Sequence, residues 1–308
     1  MGFTPPNLAE IWTRDLAAKV KASVADLSGP PLELESWLYA YDDGEKVGLL
    51  GPGNLGVVSG PSKSNKSYVL SCILASYFDK GPEMLNFKLD VPSGVPVYLI
   101  DTEQSDYYAE MAARRALHIS GRKSSEFPHF KLLKWRRNMD PIERLAALAF
   151  LLEKHKTPND HGKTGCVILL DGIADLVDDT NSLLEAKWLV ASLMSDLSES
   201  GSMMLTVLHA NEKGQDKGVL RGALGSELQR KEELNISVAK KVKKKKKSGK
   251  QKKQDDDDEE EEEEDLRMID YEVSTPVTRG RPIRPFLFKR GDKYPQYHSR
   301  VKVSKPLF

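Results

Sequence analysis

The chain has 308 residues, 46 basic and 46 acidic, with 39% apolar content, enough for one large α/β domain or two small ones. No apolar run approaches the ~20 residues of a membrane span, and residues Met1 to Glu10 lack the basic and apolar regions of a signal peptide, so the expectation is a cytoplasmic protein with no membrane partner. The zero net charge conceals ten lysines between Lys240 and Lys253 and eleven consecutive acids from Asp255 to Asp265, outside which 36 basic residues face 35 acidic ones.

Taken in order, Leu8, Ile11, Trp12, Leu16 and Val20 have helical spacing, so the region Leu8 to Leu27 predicts a short amphipathic helix. Gly29-Pro30-Pro31 ends it, and residues 1–30 read as a helix and linker ahead of a domain covering 31–308. Glu33 to Leu55 predicts irregular strands and turns, with Trp37, Tyr39 and Tyr41 alternating as the buried face of one strand. Gly56 to Gly60 then predicts a short apolar strand, followed by a tight loop and a helix that opens at Lys66-Ser67.

Lys80 to Gly94 reads as a turn-rich loop. The run Val95 to Ile100 predicts a strand ending in Asp101-Thr102-Glu103-Gln104-Ser105, then a helix bearing Tyr107, Met111, Ala112, Arg115 and Ile119. Phe130 to Trp135 reads as a weaker strand. Asp140-Pro141 signals a helix start, with Ile142, Leu145, Leu148, Ala149 and Leu152 as its apolar stripe. Gly165 to Gly172 is the most strand-like run in the chain. The helix after it offers Leu183, Leu184, Trp188, Val190 and Leu193 to the core, and Met203 to Leu208 reads as another strand. Cys72 and Cys166 fall inside such elements and read as packed thiols.

Strands alternating with helices over roughly 150 residues predict a mostly parallel α/β sheet with helices on both faces. The near-continuous apolar strands agree. Beyond Asn235 to Ala239, the charged segment 240–265 cannot bury apolar surface and reads as a disordered insertion. Tyr271 to Val277, Pro285 to Lys289 and Tyr294 to His298 then predict strands, the last two joined by a turn at Arg290-Gly291-Asp292-Lys293, which together add C-terminal antiparallel strands.

The chemistry centres on Gly60-Pro61-Ser62-Lys63-Ser64-Asn65-Lys66-Ser67. Strand, tight loop and helix start are the context of a phosphate-binding loop of the type G-x-x-x-x-G-K-[ST], in which free backbone N–H groups make a concave anion site. Lys66 supplies a point charge to the outer phosphates and the Ser67 hydroxyl a ligand for Mg²⁺. Asn65 stands where the motif has its second Gly, and Asn is among the few residues that tolerate a left-handed backbone. The plainer alternative is a polar turn before a core helix.

Lys66, Glu103, Asp171 and His209 all follow strands, where ligands of parallel sheets bind. Asp171 after four hydrophobes has the form of a metal-holding carboxylate. Glu103, just past a strand expected to lie next to the phosphate-loop strand, is placed to orient or deprotonate a water, with Asp101 as its competitor. His209 and Asn211 can sense a terminal phosphate or serve structurally. Asn211 to Leu224, with two lysines and several glycines, reads as a mobile basic loop or a plain surface loop.

The ordered set Gly53-Asn54-Leu55, Ser62 to Ser67, Ile100 to Ser105, Leu170-Asp171-Gly172-Ile173 and Leu220 to Leu228 resembles the RecA-superfamily ATPases of the RepA/DnaB-helicase type, as found on phages, plasmids and other mobile elements. The resemblance covers about 31–239 and the terminal strands. It implies a RecA-like core, ATP hydrolysis with Mg²⁺, assembly as a homo-oligomer such as a hexameric ring, single-stranded DNA as partner, and a replication partner protein. By position Lys66 and Ser67 match the phosphate and metal contacts, Glu103 the catalytic carboxylate and Asp171 the metal-holding acid. His209 falls where the family often has Gln. Arg221 is a candidate for the basic residue that completes a neighbour's site, with Arg230, Lys240 and Lys241 as alternatives. An ATP-driven assembly switch with little turnover and a P-loop kinase are the competing functions.

Overall fold

The computed structural model describes residues 35–79, 85–211, 218–241, 270–278, 281–289 and 296–300, with residues 20, 21, 23 and 24 of a separate N-terminal unit that ends at Leu34. Val20 and Lys21 are helical. The remainder of the expected N-terminal helix, the charged segment beyond Lys241 and the expected turn at 290–293 lie outside the described residues.

The larger unit is built on a nine-stranded sheet. Its strands are β3 (Leu55–Gly60), β5 (Val97–Asp101), β6 (Phe130–Lys134), β7 (Val167–Asp171), β8 (Met203–His209), β9 (Leu234–Lys241), β10 (Asp270–Thr278), β11 (Phe286–Lys289) and β12 (Gln296–Arg300). Their order is β12-β11-β10-β9-β3-β8-β7-β5-β6. The six strands from β9 to β6 are parallel, and β10, β11 and β12 extend the β9 edge antiparallel. The α/β fold and the terminal antiparallel strands are as the sequence predicts.

Helices α1 (Lys66–Phe78), α2 (Asp106–Ser120), α3 (Pro141–Lys154), α4 (Leu183–Ser200) and α5 (Gly222–Lys231) follow the parallel strands. Successive strand residues face opposite sides. Val167 and Leu169 therefore join the core under α1 and α2, while Ile168 and Leu170 join the one under α3, α4 and α5. Both sheet faces are thus buried, and the continuous apolar strands are the sequence consequence. The expected start of α3 is fixed by a capping box: the Asp140 side chain accepts from Glu143 N at 2.8 Å and Glu143 accepts from Asp140 N at 3.0 Å.

A second, three-stranded sheet lies in the first core. Its strands are β1 (Leu38–Asp42), β2 (Glu45–Leu50) and β4 (Phe87–Leu89), in the antiparallel order β2-β1-β4. Two expectations are corrected here. The buried face of β1 is Leu38, Ala40 and Asp42, not the tyrosines; Tyr39 and Tyr41 are half-exposed, and Lys46 sits 3.8 Å over the Tyr39 ring. The turn-rich stretch 80–94 also contains strand β4, formed by pairing with β1 rather than by local propensity.

Two helices depart from the expected faces. On α4, Val190 and Leu193 are buried but Leu183, Leu184 and Trp188 are exposed; on α3, Leu148 and Leu152 are buried while Ile142 is exposed. Both helices are apolar almost all round, so periodicity alone could not choose the inward side. The C-terminal strands reach back to α1, where Phe288 stacks between Tyr271 (5.3 Å) and Tyr68 (6.0 Å) of the first turn of that helix. No helix among the described residues is long and apolar enough to cross a membrane.

Candidate active site

The loop between β3 and α1 takes the shape that its sequence requires. Lys63 (φ 58°) and Asn65 (φ 67°, ψ 31°) are both left-handed. Asn65 therefore supplies the backbone conformation for which the motif ordinarily uses Gly, at a cost that Asn bears better than most residues. Gly60 (φ 154°) is under a harder constraint, because any Cβ there would collide with the Val238 carbonyl of the neighbouring β9. The loop is thus pressed against the neighbouring strand β9, with the N-terminus of the buried helix α1 following it.

Lys66, though only 6% exposed, has its ammonium fully engaged. Its Nζ donates to Gly60 O at 3.0 Å and Pro61 O at 2.7 Å, and to His209 Nδ1 at 3.1 Å. An ammonium has no lone pair to accept with, so Nδ1 is the acceptor and a neutral His209 ring carries its proton on Nε2. That nitrogen faces Glu103 as a donor, with Nε2 3.7 Å from Oε1. His209, then the Lys66 and Arg136 charges, hold the Glu103 carboxyl below the usual range although partial burial opposes them.

Asp171 closes β7 and is almost wholly buried. Burial pushes its carboxyl up, against hydrogen bonds from Ser67 and Gln104. Gln104 Nε2 donates to Asp171 Oδ2 at 2.9 Å. Asp101, the competitor of Glu103, is spent on its own turn: Oδ1 accepts from Gln104 N at 2.7 Å and Glu103 N at 3.1 Å, and burial pushes its carboxyl up to about 6. Thr102 ties the two strand ends together by donating to Asp171 O (3.1 Å), Gly172 O (2.8 Å) and Asp175 Oδ2 (3.0 Å) as alternative acceptors.

These groups converge. Lys63 through Ser67, Glu103, Gln104, Asp171 and His209 line one cavity of about 400 Å³, together with Tyr68 and Arg115. The other loop residues, Gly60, Pro61 and Ser62, precede this wall, and the first two offer it their carbonyls through Lys66. Arg221 and Arg230 are not among the lining residues. Arg221 caps α5 with an exposed side chain and its N donates to His209 O at 3.0 Å, while Arg230 pairs with Glu227 at 3.2 Å. The stretch Asn211 to Leu224 is only partly a loop: 212–217 lie outside the described residues, a bridge pairs Ala210 with Leu220, and α5 begins at Gly222.

One placement corrects the sequence reading. Glu103 does not follow a strand adjacent to the phosphate-loop strand; β8 and β7 separate β5 from β3. Glu103 still reaches the cavity because it lies two residues beyond β5 and leans across the carboxyl ends of β7 and β8 toward His209. Sequence reasoning also missed Gln104 and Arg115. Gln104 sits in the very run that supplied Glu103. Arg115 shares the cavity-facing side of α2 with Ala112 and points to Ser71 (3.4 Å) and the Tyr68 ring (5.5 Å).

The donor set suits a phosphate ligand with a hard divalent cation. Ser64 Oγ and Asn65 Nδ2 are buried loop atoms without a hydrogen-bond partner among the described residues, an expensive arrangement unless an anion engages them. Among the described residues no cluster of three or more His, Cys, Asp or Glu side chains could cage a metal by itself. Ser67 and Asp171 provide instead one hydroxyl and one carboxylate, the sparse protein contribution typical of Mg²⁺ that shares its ligands with phosphates and water. No protein-family model matches the chain, and no curated protein matches it.

Proposed function

We propose that the chain is an ATP-hydrolysing P-loop ATPase of the RecA/DnaB-like type that acts on single-stranded DNA in replication or recombination. The observation that carries this reading is the convergence of Lys66, Ser67, Glu103, Asp171 and His209 on one cavity from the carboxyl ends of four parallel strands. ATP would be held by the loop amides and Lys66, and Mg²⁺ by Ser67 and Asp171. When bound there, Mg²⁺ would supply positive charge to offset that of the phosphates.

The chain's own residues divide the remaining work. Glu103, held ionised by His209, accepts the proton of an attacking water. Asp101 fixes the turn that presents Glu103. Gln104 orients the Asp171 carboxylate. A phosphate oxygen competes for the Lys66 ammonium with the Gly60 and Pro61 carbonyls, so ligand binding and loop shape are linked. On this reading the protein works in the cytoplasm as a homo-oligomer, a hexameric ring in the family it resembles, beside a replication partner protein.

The test is nucleotide binding and steady-state ATP turnover, with and without single-stranded DNA. Lys66→Ala should weaken ATP binding severely. ATP affinity unchanged in folded Lys66→Ala would overturn the phosphate-loop assignment. Binding without turnover would point to an assembly switch, and phosphate transfer to a small acceptor to a kinase.

A further inference from the structure

Beside the nucleotide cavity lies a second one of about 460 Å³, lined by Gln104, Ser105, Asp106, Tyr107, Arg136 and Arg137. Two elements build it: the first turn of α2, and the segment that follows β6. Tyr107 is 66% exposed and Tyr108 61%, and their rings meet edge to face with centroids 5.2 Å apart. Neither ring contributes to the cores below.

Arg136 and Arg137 are exposed, and neither guanidinium has a hydrogen-bonded or ion-paired partner among the described residues. The acid in the lining is already offset, since Asp106 lies 3.9 Å from Lys134, which also binds Glu110 at 2.9 Å. The site therefore presents exposed aromatic faces next to unengaged planar cations. Flat bases stack on such rings, and phosphodiesters pair with such cations.

We infer that this cavity seats single-stranded DNA, with a base on Tyr107 and the backbone on Arg136 and Arg137, so that the strand lies directly against the nucleotide site. The inference rests on the DNA-acting ATPase reading and gives it a location. Two contacts join the cavities. Gln104 lines both and holds Asp171. Arg136 lines the second cavity while its charge acts on Glu103 in the first. A phosphodiester on Arg136 would offset that charge, which gives bound DNA a direct electrostatic path to Glu103.

The experiment is fluorescence anisotropy of labelled (dT)20 without nucleotide, at several salt concentrations, on the full chain and its variants. Tyr107→Ala should weaken binding roughly tenfold, and Tyr107→Phe, which keeps the ring, should bind like the parent. Arg137→Ala should weaken binding and make the slope of log K against log salt shallower by about 0.7. A 5-iodouracil strand should cross-link to Tyr107 or Tyr108. Tyr107 and Arg137 are both exposed, and circular dichroism would check that the variants are folded. No (dT)20 binding by a parent protein that hydrolyses ATP would overturn this inference alone, as would parent-like affinity in Tyr107→Ala and Arg137→Ala together. Failure of the parent to bind ATP would overturn the ATPase reading, while the (dT)20 result would still decide this site.

Discussion

His209 Nε2 stands 3.7 Å from Glu103 Oε1, while the opposite nitrogen of the same ring accepts from Lys66. One imidazole thus links the phosphate-loop lysine to the carboxylate two strands away from the strand that bears the ring. His209 is the first cause of the lowered Glu103 pKa. A lowered pKa stabilises the fold above the unfolded-state value, and that contribution disappears as pH falls through the folded-state value. His209→Ala should therefore raise the Glu103 pKa toward its ordinary range and move the acid limb of the ATP turnover profile to higher pH. An NMR titration of the Glu103 carboxyl reads the same shift without relying on turnover. An unchanged titration would show that the His209 ring does not govern this acid.

Three acids crowd the carboxyl ends of β5 and β7, and their substitutions should separate cleanly. Glu103→Gln should leave ATP binding largely intact and reduce turnover by at least about a hundredfold, the range of general-base catalysis. Asp171→Asn should weaken the Mg²⁺ dependence of ATP binding as well. Asp101→Asn keeps an oxygen able to accept from the Glu103 and Gln104 amides, so its loss should be the smallest. Titration calorimetry of ATP with and without Mg²⁺, beside turnover rates, distinguishes the three. Normal turnover in Glu103→Gln with a dead Asp101→Asn would exchange their roles.

Much of this site was legible because a parallel sheet puts its working residues at strand ends, and strand ends can be read from apolar runs. Asp171 and His209 close β7 and β8 as expected, and Asn65 takes the left-handed conformation that excuses the missing Gly. Strand order was not legible. Only tertiary pairing places β8 and β7 between β3 and β5, or recruits Phe87–Leu89 to β1. Nor could the burial of Leu184 or Trp188 be judged, because the apolar residues of α4 surround the helix. Gln104 was hidden for another reason: an amide signals nothing until the carboxylate it holds is seen 2.9 Å away.

Beneath the phosphate loop, Ser59 Oγ donates to Asn235 Oδ1 at 2.6 Å and Asn235 Nδ2 donates to Glu232 Oε1 at 2.9 Å. Glu232 Oε2 is buried without a hydrogen-bond partner among the described residues, and burial pushes this carboxyl up to about 7. The sign is opposite to that of Glu103. Between the unfolded-state value near 4.5 and about 7, the native state holds the extra proton, so stability falls as pH rises and the loss is complete above about 7. Glu232→Gln should match the parent near pH 4 and exceed it at pH 8, by no more than about 3 kcal/mol for a shift of that size. Urea unfolding at the two pH values checks this. An equal loss at both would mean that the carboxylate is compensated in the fold.

On the proposed reading, a basic residue from a neighbouring subunit would complete the site. Arg221 lies on the rim formed by the strand ends, since its amide donates to the His209 carbonyl, yet it does not line the cavity that holds Lys66. If oligomers place it in a neighbour's site, it acts in trans, where such an arginine is worth roughly 10³–10⁵ in rate. Arg221→Ala should then fold and bind ATP but turn over slowly, and Lys66→Ala should be inactive for a different reason. In an equal mixture, Arg221→Ala subunits keep Lys66 while Lys66→Ala neighbours supply Arg221, so about one site in four is whole if subunits exchange freely around a head-to-tail ring. Turnover should recover to about that fraction on mixing, and only after the oligomers are allowed to exchange. A slow Arg221→Ala that no mixing rescues would place the arginine in its own subunit's site. A fully active Arg221→Ala would remove it from the mechanism and leave Arg230, Lys240 and Lys241 to be tested in the same way.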